Sequence, residues 1–202
     1  MVTPPAIVLA TTNPGKLREV AAVLNVAGVR VLSLADFPAY PEPVEDGTTF
    51  AANAALKACY YSRMTGHWAL ADDSGLVVDA LDGAPGILSA RYAGPASDDQ
   101  ANNAKLVHAL AGIPDDRRSA RFRCALALAD GQTVLATAEG IIEGRIIDHP
   151  RGLNGFGYDP HFLVPELDLT TAELSPEDKN RRSHRGQALR LILPKIASLL
   201  DG

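Results

Sequence analysis

The chain has 202 residues, 47% of them hydrophobic and 21% charged, with a formal net charge of −5. A polynucleotide partner wants a broad basic face, so this balance excludes a large nucleic-acid footprint and leaves room for free nucleotides at local clusters: Lys16, Lys57 and the stretch from Lys179 to Arg190. Two cysteines, Cys59 and Cys124, lie in apolar surroundings without metal-ligand or redox-pair spacing, and no run approaches the roughly 18 apolar residues of a membrane span.

Both cysteines therefore read as small core residues in a reducing, cytoplasmic setting. Met1 to Pro5 carries no basic region leading into an apolar segment, so the expectation is a soluble protein that stays where it is made.

Ala6 to Ala10 is a continuous apolar run that suits a buried strand. After it, Asn13 is a plausible N-cap and Pro14 a first helical residue, with Leu17, Val20, Ala21 and Leu24 at helical spacing. Val29 to Leu34 reads as a second strand, and Phe37 to Gly47 as an acidic connection rich in proline. A second helix is predicted from Phe50 to Met64, with Asn53 and Lys57 one turn apart on one face. Trp68 to Ala71 and Leu76 to Val78 read as two strands flanking a break at Asp72 to Gly75. Asp82 to Gly94 is a long loop of glycine and proline, and Asp98 to Ala111 a third helix. Arg121 to Ala129 and Thr133 to Glu139 pair as a hairpin around Asp130-Gly131, and Ile141 to Ile147 continues the strands. A last helix is predicted from about Ser183 to Leu200. No repeat or linker separates independent domains, so residues 1–202 are expected to form a single α/β domain with a mixed sheet, its cleft lined by loops at strand ends.

Four polar runs interrupt these apolar stretches. Thr11-Thr12-Asn13-Pro14-Gly15-Lys16 leads from a strand into a helix N-terminus, where backbone N–H groups and the helix dipole favour an anion and Lys16 adds a charge for polyphosphate. The alternative is an ordinary capped helix start; a Walker loop is excluded, because the Gly-Lys-Ser/Thr ending is missing. In Asp72-Asp73-Ser74-Gly75, two adjacent acids in apolar surroundings need cations or donors, and their hard oxygens suit Mg²⁺. One of them could also hold an attacking water as general base, while the competing interpretation is a polar hairpin turn. Glu45 is a further candidate ligand, although Glu42 and Asp46 look the same from sequence.

Gly155-Phe156-Gly157-Tyr158-Asp159-Pro160 lets the backbone bend and expose a ring on which a purine can stack, with Asp159 as an acceptor; a packed turn is the alternative. Ser183-His184-Arg185-Gly186, just after Lys179, offers a dense donor set in which the Arg185 fork suits the carbonyl oxygen of a 6-oxopurine.

In this order and spacing, and with Phe50 to Ala54 and Ser89 to Gly94, the four runs resemble the inosine triphosphate pyrophosphatase family from about Ile7 to Leu193. The resemblance implies Mg²⁺-dependent hydrolysis of ITP, dITP and XTP to the monophosphate and pyrophosphate. It also implies an elongated two-lobed α/β fold around a long mixed sheet with flanking helices, an active site in the cleft, and a homodimer. Carried over by position, Thr11 to Lys16 resembles the triphosphate loop, Glu45 and Asp73 the metal ligands, and Asp73 the proton acceptor. Ser74, Lys57 and Lys179 resemble phosphate or substrate contacts, and Phe156, Gly157, Tyr158, Asp159, His184 and Arg185 the base pocket. Two rival readings use the same residues: a nucleotide sensor without turnover, and a pyrimidine-directed pyrophosphatase of the Maf-like fold.

Overall fold

The computed structural model describes residues 6–26 and 29–200; the reading of Met1 to Pro5 lies outside the described residues. The protein is a mixed α/β fold with one seven-stranded sheet in the order β2-β1-β3-β4-β5-β6-β7. β1 (Ile7–Leu9) runs parallel to both β2 (Val31–Ser33) and β3 (Trp68–Val78), whereas β6 (Phe162–Val164) is antiparallel to β5 (Thr133–Ile146) and to β7 (Leu169–Thr170). β4 (Ser119–Asp130) completes the set. The chain divides into two compact units, one holding residues up to 73, 124–140 and from 184 onward, the other residues 74–123 and 141–183. Among the described residues no helix is long and apolar enough to cross a membrane.

In the first unit, β1 delivers the chain into α1 (Pro14–Val26) through a capped turn: the Asn13 side chain accepts from the N–H groups of Gly15 and Lys16 at 2.8 and 3.1 Å. Asn13 is thus the expected cap and Pro14 the expected first residue. α2 (Phe50–Thr65) is capped by Thr49 and closed by Gly66 in the left-handed region at φ 68°. α5 (His184–Leu200) presents Ala188, Leu189, Ile192 and Ile196 to a core shared with Val20 and Leu24 of α1, Ile7 and Leu9 of β1, Leu70 of β3 and Leu126 of β4. Burying such side chains contributes roughly 1.5–3 kcal/mol each, which is what holds the two helices on the sheet.

The second unit has its own core, in which Leu76 and Val78 of β3, Leu106 and Leu110 of α3 (Asp99–Ala109) and its C-terminal end, Phe122 of β4, Ile142 and Ile146 of β5, and Phe162 of β6 pack together. Asp98, where the third helix was expected to begin, caps α3, its carboxylate accepting from Gln100 and Ala101. Arg118 is buried at the start of this unit's β4 segment and donates to the carbonyls of Ile113 and Leu110 and to Asp148. A short helix, α4 (Pro176–Arg182), is capped by Ser175.

Several expectations change in detail. The break read between two strands at Asp72 to Gly75 does not occur: β3 runs unbroken from Trp68 to Val78, which also removes the hairpin-turn interpretation. Ile141 to Ile147 is mostly the continuation of β5 rather than a separate strand, and the Asp82 to Gly94 loop contains a six-residue 3-10 helix, Gly86–Arg91. The last helix begins at His184, behind a separate α4 that the sequence reading did not distinguish.

One close approach fixes the seat of α5. A Cβ placed on Gly140 of β5 would lie 2.0 Å from the His184 carbonyl oxygen and 2.7 Å from the Ala188 nitrogen, both backbone atoms that cannot swing aside. Gly140→Ala is therefore expected to lower unfolding stability by about 1–3 kcal/mol, the usual cost of forced overpacking. Urea denaturation measures it, and an unchanged midpoint would contradict the packing described.

Candidate active site

Side chains alternate faces along a strand, so Asp72 and Asp73 of β3 point in opposite directions. Asp72 shares a face with Leu70, on the side of α1 and α5. Its Oδ1 lies 2.7 Å from the Lys16 ammonium, while its Oδ2 accepts from Arg185 Nε at 2.7 Å and from the Cys124 thiol at 3.2 Å. Arg185 in turn engages Glu19 of α1 through Nη1. Burial by itself would push the Asp72 carboxyl up, but Arg185 and Lys16 overcome it and hold this group well below the ordinary carboxylate value. The same burial, reinforced by Asp72, raises the Cys124 thiol well above its usual value, so this cysteine is an inert core group.

Asp73 faces the other way, toward α2. Its Oδ1 accepts from Lys57 Nζ at 2.9 Å, and the same ammonium lies 3.3 Å from Glu45 Oε2. Its Oδ2 is buried with no hydrogen-bond partner among the described residues. Burial raises the Asp73 carboxyl above its ordinary value despite Lys57 and Lys16. Burial also pulls on Lys57, but there Asp73 and Glu45 win and the ammonium is held above its usual value. Two neighbouring acids are thus driven apart. One is a saturated ionic hub and the other a carboxylate with an open oxygen, the pattern that separates structural from reactive groups.

No group of three or more His, Cys, Asp and Glu side chains able to hold a metal occurs among the described residues. Mg²⁺ is commonly held by only one or two carboxylates together with waters and substrate phosphates. The buried, partnerless Asp73 Oδ2 is a hard donor of the required kind, and Glu45, brought to the same ammonium, is the second.

The turn from Thr11 to Lys16 is more committed than its sequence suggested. The N–H of Asn13 goes to the Thr11 hydroxyl at 3.1 Å, and those of Gly15 and Lys16 go to Asn13. Pro14 has no N–H to offer, and Thr12 is exposed. What the turn presents to an anion is the Lys16 charge and the helix dipole. His184 and Arg185 open α5 as buried residues, and the Arg185 fork expected for a base spends Nε and Nη1 on Asp72 and Glu19.

A second cluster lies within the other unit. Lys179 of α4 sits 2.6 Å from Asp159 Oδ2 and 4.8 Å from the centroid of the half-buried Phe156 ring. The same Asp159 oxygen accepts from the Phe156 N–H at 2.8 Å, and Asp159 Oδ1 accepts from the Thr171 hydroxyl at 2.7 Å. Gly155 at φ +79° makes this bend possible, because a Cβ there would strike the Asp159 carboxylate at 2.1 Å. Tyr158 turns inward instead, its hydroxyl donating to the Ser89 carbonyl at 2.7 Å and its ring joining the core. Gly157 is tied to α3 by hydrogen bonds to Asp99 and from Asn103, and Ser74 is half-buried on β3. Glu19, Asp99 and Asn103 went unread in the sequence, and Cys124, read as a small core residue, donates to Asp72. Only Glu19, three residues from Lys16 on one helix, carried a local signal.

Comparison with known proteins places these residues in context. The model of the Ham1 family matches residues 7–195. A protein of Desulforamulus reducens named dITP/XTP pyrophosphatase is 54% identical over 91% of this chain and 92% of its own length. One of the same name from Geobacillus kaustophilus is 54% identical over 97% and 96%. Among solved structures, a HAM1 protein from Coxiella burnetii superposes with a TM-score of 0.86 at 42% identity, covering 96% of this chain and 99% of that one. A nucleoside-triphosphatase described as dITP/XTP pyrophosphatase from Mycobacterium abscessus gives 0.74 at 46%, covering 94% and 98%.

The division between the two acids has a direct consequence for stability. Asp72→Asn leaves a buried guanidinium and ammonium short of their counter-charge and is expected to cost about 3–5 kcal/mol, as when one partner of a buried ion pair is removed. Asp73→Asn relieves a carboxylate that burial disfavours and leaves Glu45 as counter-charge to Lys57, so it should cost clearly less than Asp72→Asn. Parallel denaturation curves of the two variants test this, and equal losses would refute it.

Proposed function

We infer that this chain, which belongs to the Ham1 family, is a nucleoside triphosphate pyrophosphatase, a hydrolase of acid anhydrides whose substrates include dITP and XTP. ITP, the ribose counterpart of dITP, is proposed as a further substrate. The observation that carries the reading is the open, buried oxygen of Asp73 beside Lys57 and Glu45. While Oδ1 holds the Lys57 ammonium, Oδ2 serves no hydrogen bond among the described residues.

Asp73 and Glu45 would hold Mg²⁺, which when bound supplies charge neutralisation at phosphorus and a template for the phosphate oxygens. Lys57 and Lys16 bind and orient the triphosphate as point charges. The Asp73 carboxylate, which burial raises above its ordinary value, positions a water and accepts its proton as general base. Attack of that water at the α-phosphorus breaks the α–β anhydride bond, leaving the nucleoside monophosphate and pyrophosphate. Attack at the γ-phosphorus would release orthophosphate instead.

The base is assigned to the Phe156 ring, which offers a face for stacking, with the Lys179 ammonium alongside. A cationic donor suits the 6-oxo group of hypoxanthine or xanthine, where adenine would present an amino donor and leave the cation unsatisfied. Discrimination against ATP follows from that mismatch. The resemblance of the whole chain to its family supports a homodimer as the working assembly.

With dITP as substrate, pyrophosphate and not orthophosphate is the expected product, and chelation of divalent ions should stop its release. Asp73→Asn is expected to lower kcat by about 10²–10⁴, the range for loss of a general base, while the variant remains folded. Release of orthophosphate as the first product, or an Asp73→Asn rate near that of the parent protein, would overturn the assignment.

A further inference from the structure

Three polar contacts pin the backbone around Phe156, and two of them come from α3, a helix that supplies no residue to the cluster around Asp73. Asp159 takes the Phe156 N–H from one side. On the other side, the next peptide unit is gripped by α3: the Gly157 N–H donates to Asp99 Oδ2 at 2.7 Å, and the Gly157 carbonyl accepts from Asn103 Nδ2 at 2.8 Å. Asp99 and Asn103 stand one helical turn apart on the same face of α3, and Asn103 Nδ2 also donates to the Asp99 carbonyl at 2.8 Å. Because both of its contacts are to carbonyl oxygens, it is the Asn103 nitrogen that faces the loop.

The grip is built to be stiff. Asp98, not Asp99, caps α3, so the Asp99 carboxylate is left to reach Gly157 from the first turn, where the helix dipole favours a negative charge. Asn102, the buried neighbour of Asn103, ties α3 to the preceding loop by accepting from the Ala93 N–H at 2.6 Å and donating to the Ala90 carbonyl at 3.0 Å. Gly157 itself adopts φ +60°, so the peptide held by α3 is the one that turns the chain immediately after the ring. With both flanking N–H groups fixed, the direction in which Phe156 leaves the backbone is set from α3 and from Asp159.

We propose that Asp99 and Asn103 are positioning residues for base recognition: they hold the Phe156 ring through the Gly157 peptide and thereby set the affinity for the purine without touching it. The inference rests on the assignment of Phe156 to the base. It predicts an effect on binding rather than on the chemical step, since the phosphate-handling residues lie in the other cluster.

The test is steady-state kinetics with dITP on Asp99→Ala, Asp99→Asn, Asn103→Ala and Phe156→Ala, each checked for folding by thermal denaturation. Asp99→Ala and Asn103→Ala are each expected to raise KM about three- to ten-fold, the worth of one net hydrogen bond, with kcat within about two-fold of the parent. Asp99→Asn keeps an oxygen that can accept from Gly157 and should restore KM to near the parent value. A KM unchanged in both alanine variants while Phe156→Ala raises it would overturn the positioning role alone, as would a loss in kcat equal to the loss in affinity. A Phe156→Ala variant with parental KM would overturn the base assignment and the positioning role together.

Discussion

Two carboxylates placed side by side on a buried strand are the constraint around which the first unit is organised. Neither can be left charged in such surroundings without cations, and strand alternation forbids one cation from serving both equally. The chain answers with two separate arrangements. Lys16 and Arg185 converge on Asp72, bringing the first turn of α1 and the first turn of α5 to the same strand. Lys57 approaches Asp73 from α2 and brings Glu45 with it. The polar interior that assembles the helices therefore also leaves one acid oxygen unmatched, and that oxygen is where the chemistry is assigned.

The saturated acid gives an arginine of the last motif a structural task. Arg185 is among the largest fully buried side chains, and its guanidinium joins Glu19 to Asp72. Its donors hold two helices and a strand in register. The base is proposed to lie instead against a ring and an ammonium in the other unit, arranged around Asp159. Asp159, like Asp72, is a buried acid paired with a lysine, and its Oδ2 also accepts the Phe156 N–H.

Local features of this organisation were legible in the sequence. Asn13 and Asp98 were readable as helix starts because a cap acts on N–H groups two or three residues ahead, and Asp130-Gly131 marked a hairpin for the same short-range reason. The apolar spacing of Leu189, Ile192 and Ile196 likewise announced the buried face of α5. The Asp72-Asp73 run was misread as a break between strands because the partners that permit charge inside β3 are distant: Lys16 is 56 positions away and Arg185 is 113. β6 and β7, at three and two residues, are too short to show alternation. Asp99 and Asn103 had no signal, since nothing local says that a helix will grip a glycine peptide more than fifty positions later.

The central claim is that Asp73, and not Asp72, presents its open oxygen to a divalent ion. Anomalous diffraction from crystals grown with Mn²⁺ and a non-hydrolysable dITP analogue reads this directly. The account predicts an ion about 2.1 Å from Asp73 Oδ2, with Asp72 still bound to Lys16 and Arg185. An ion on Asp72, or one that avoids Asp73 while the nucleotide is bound, would contradict it.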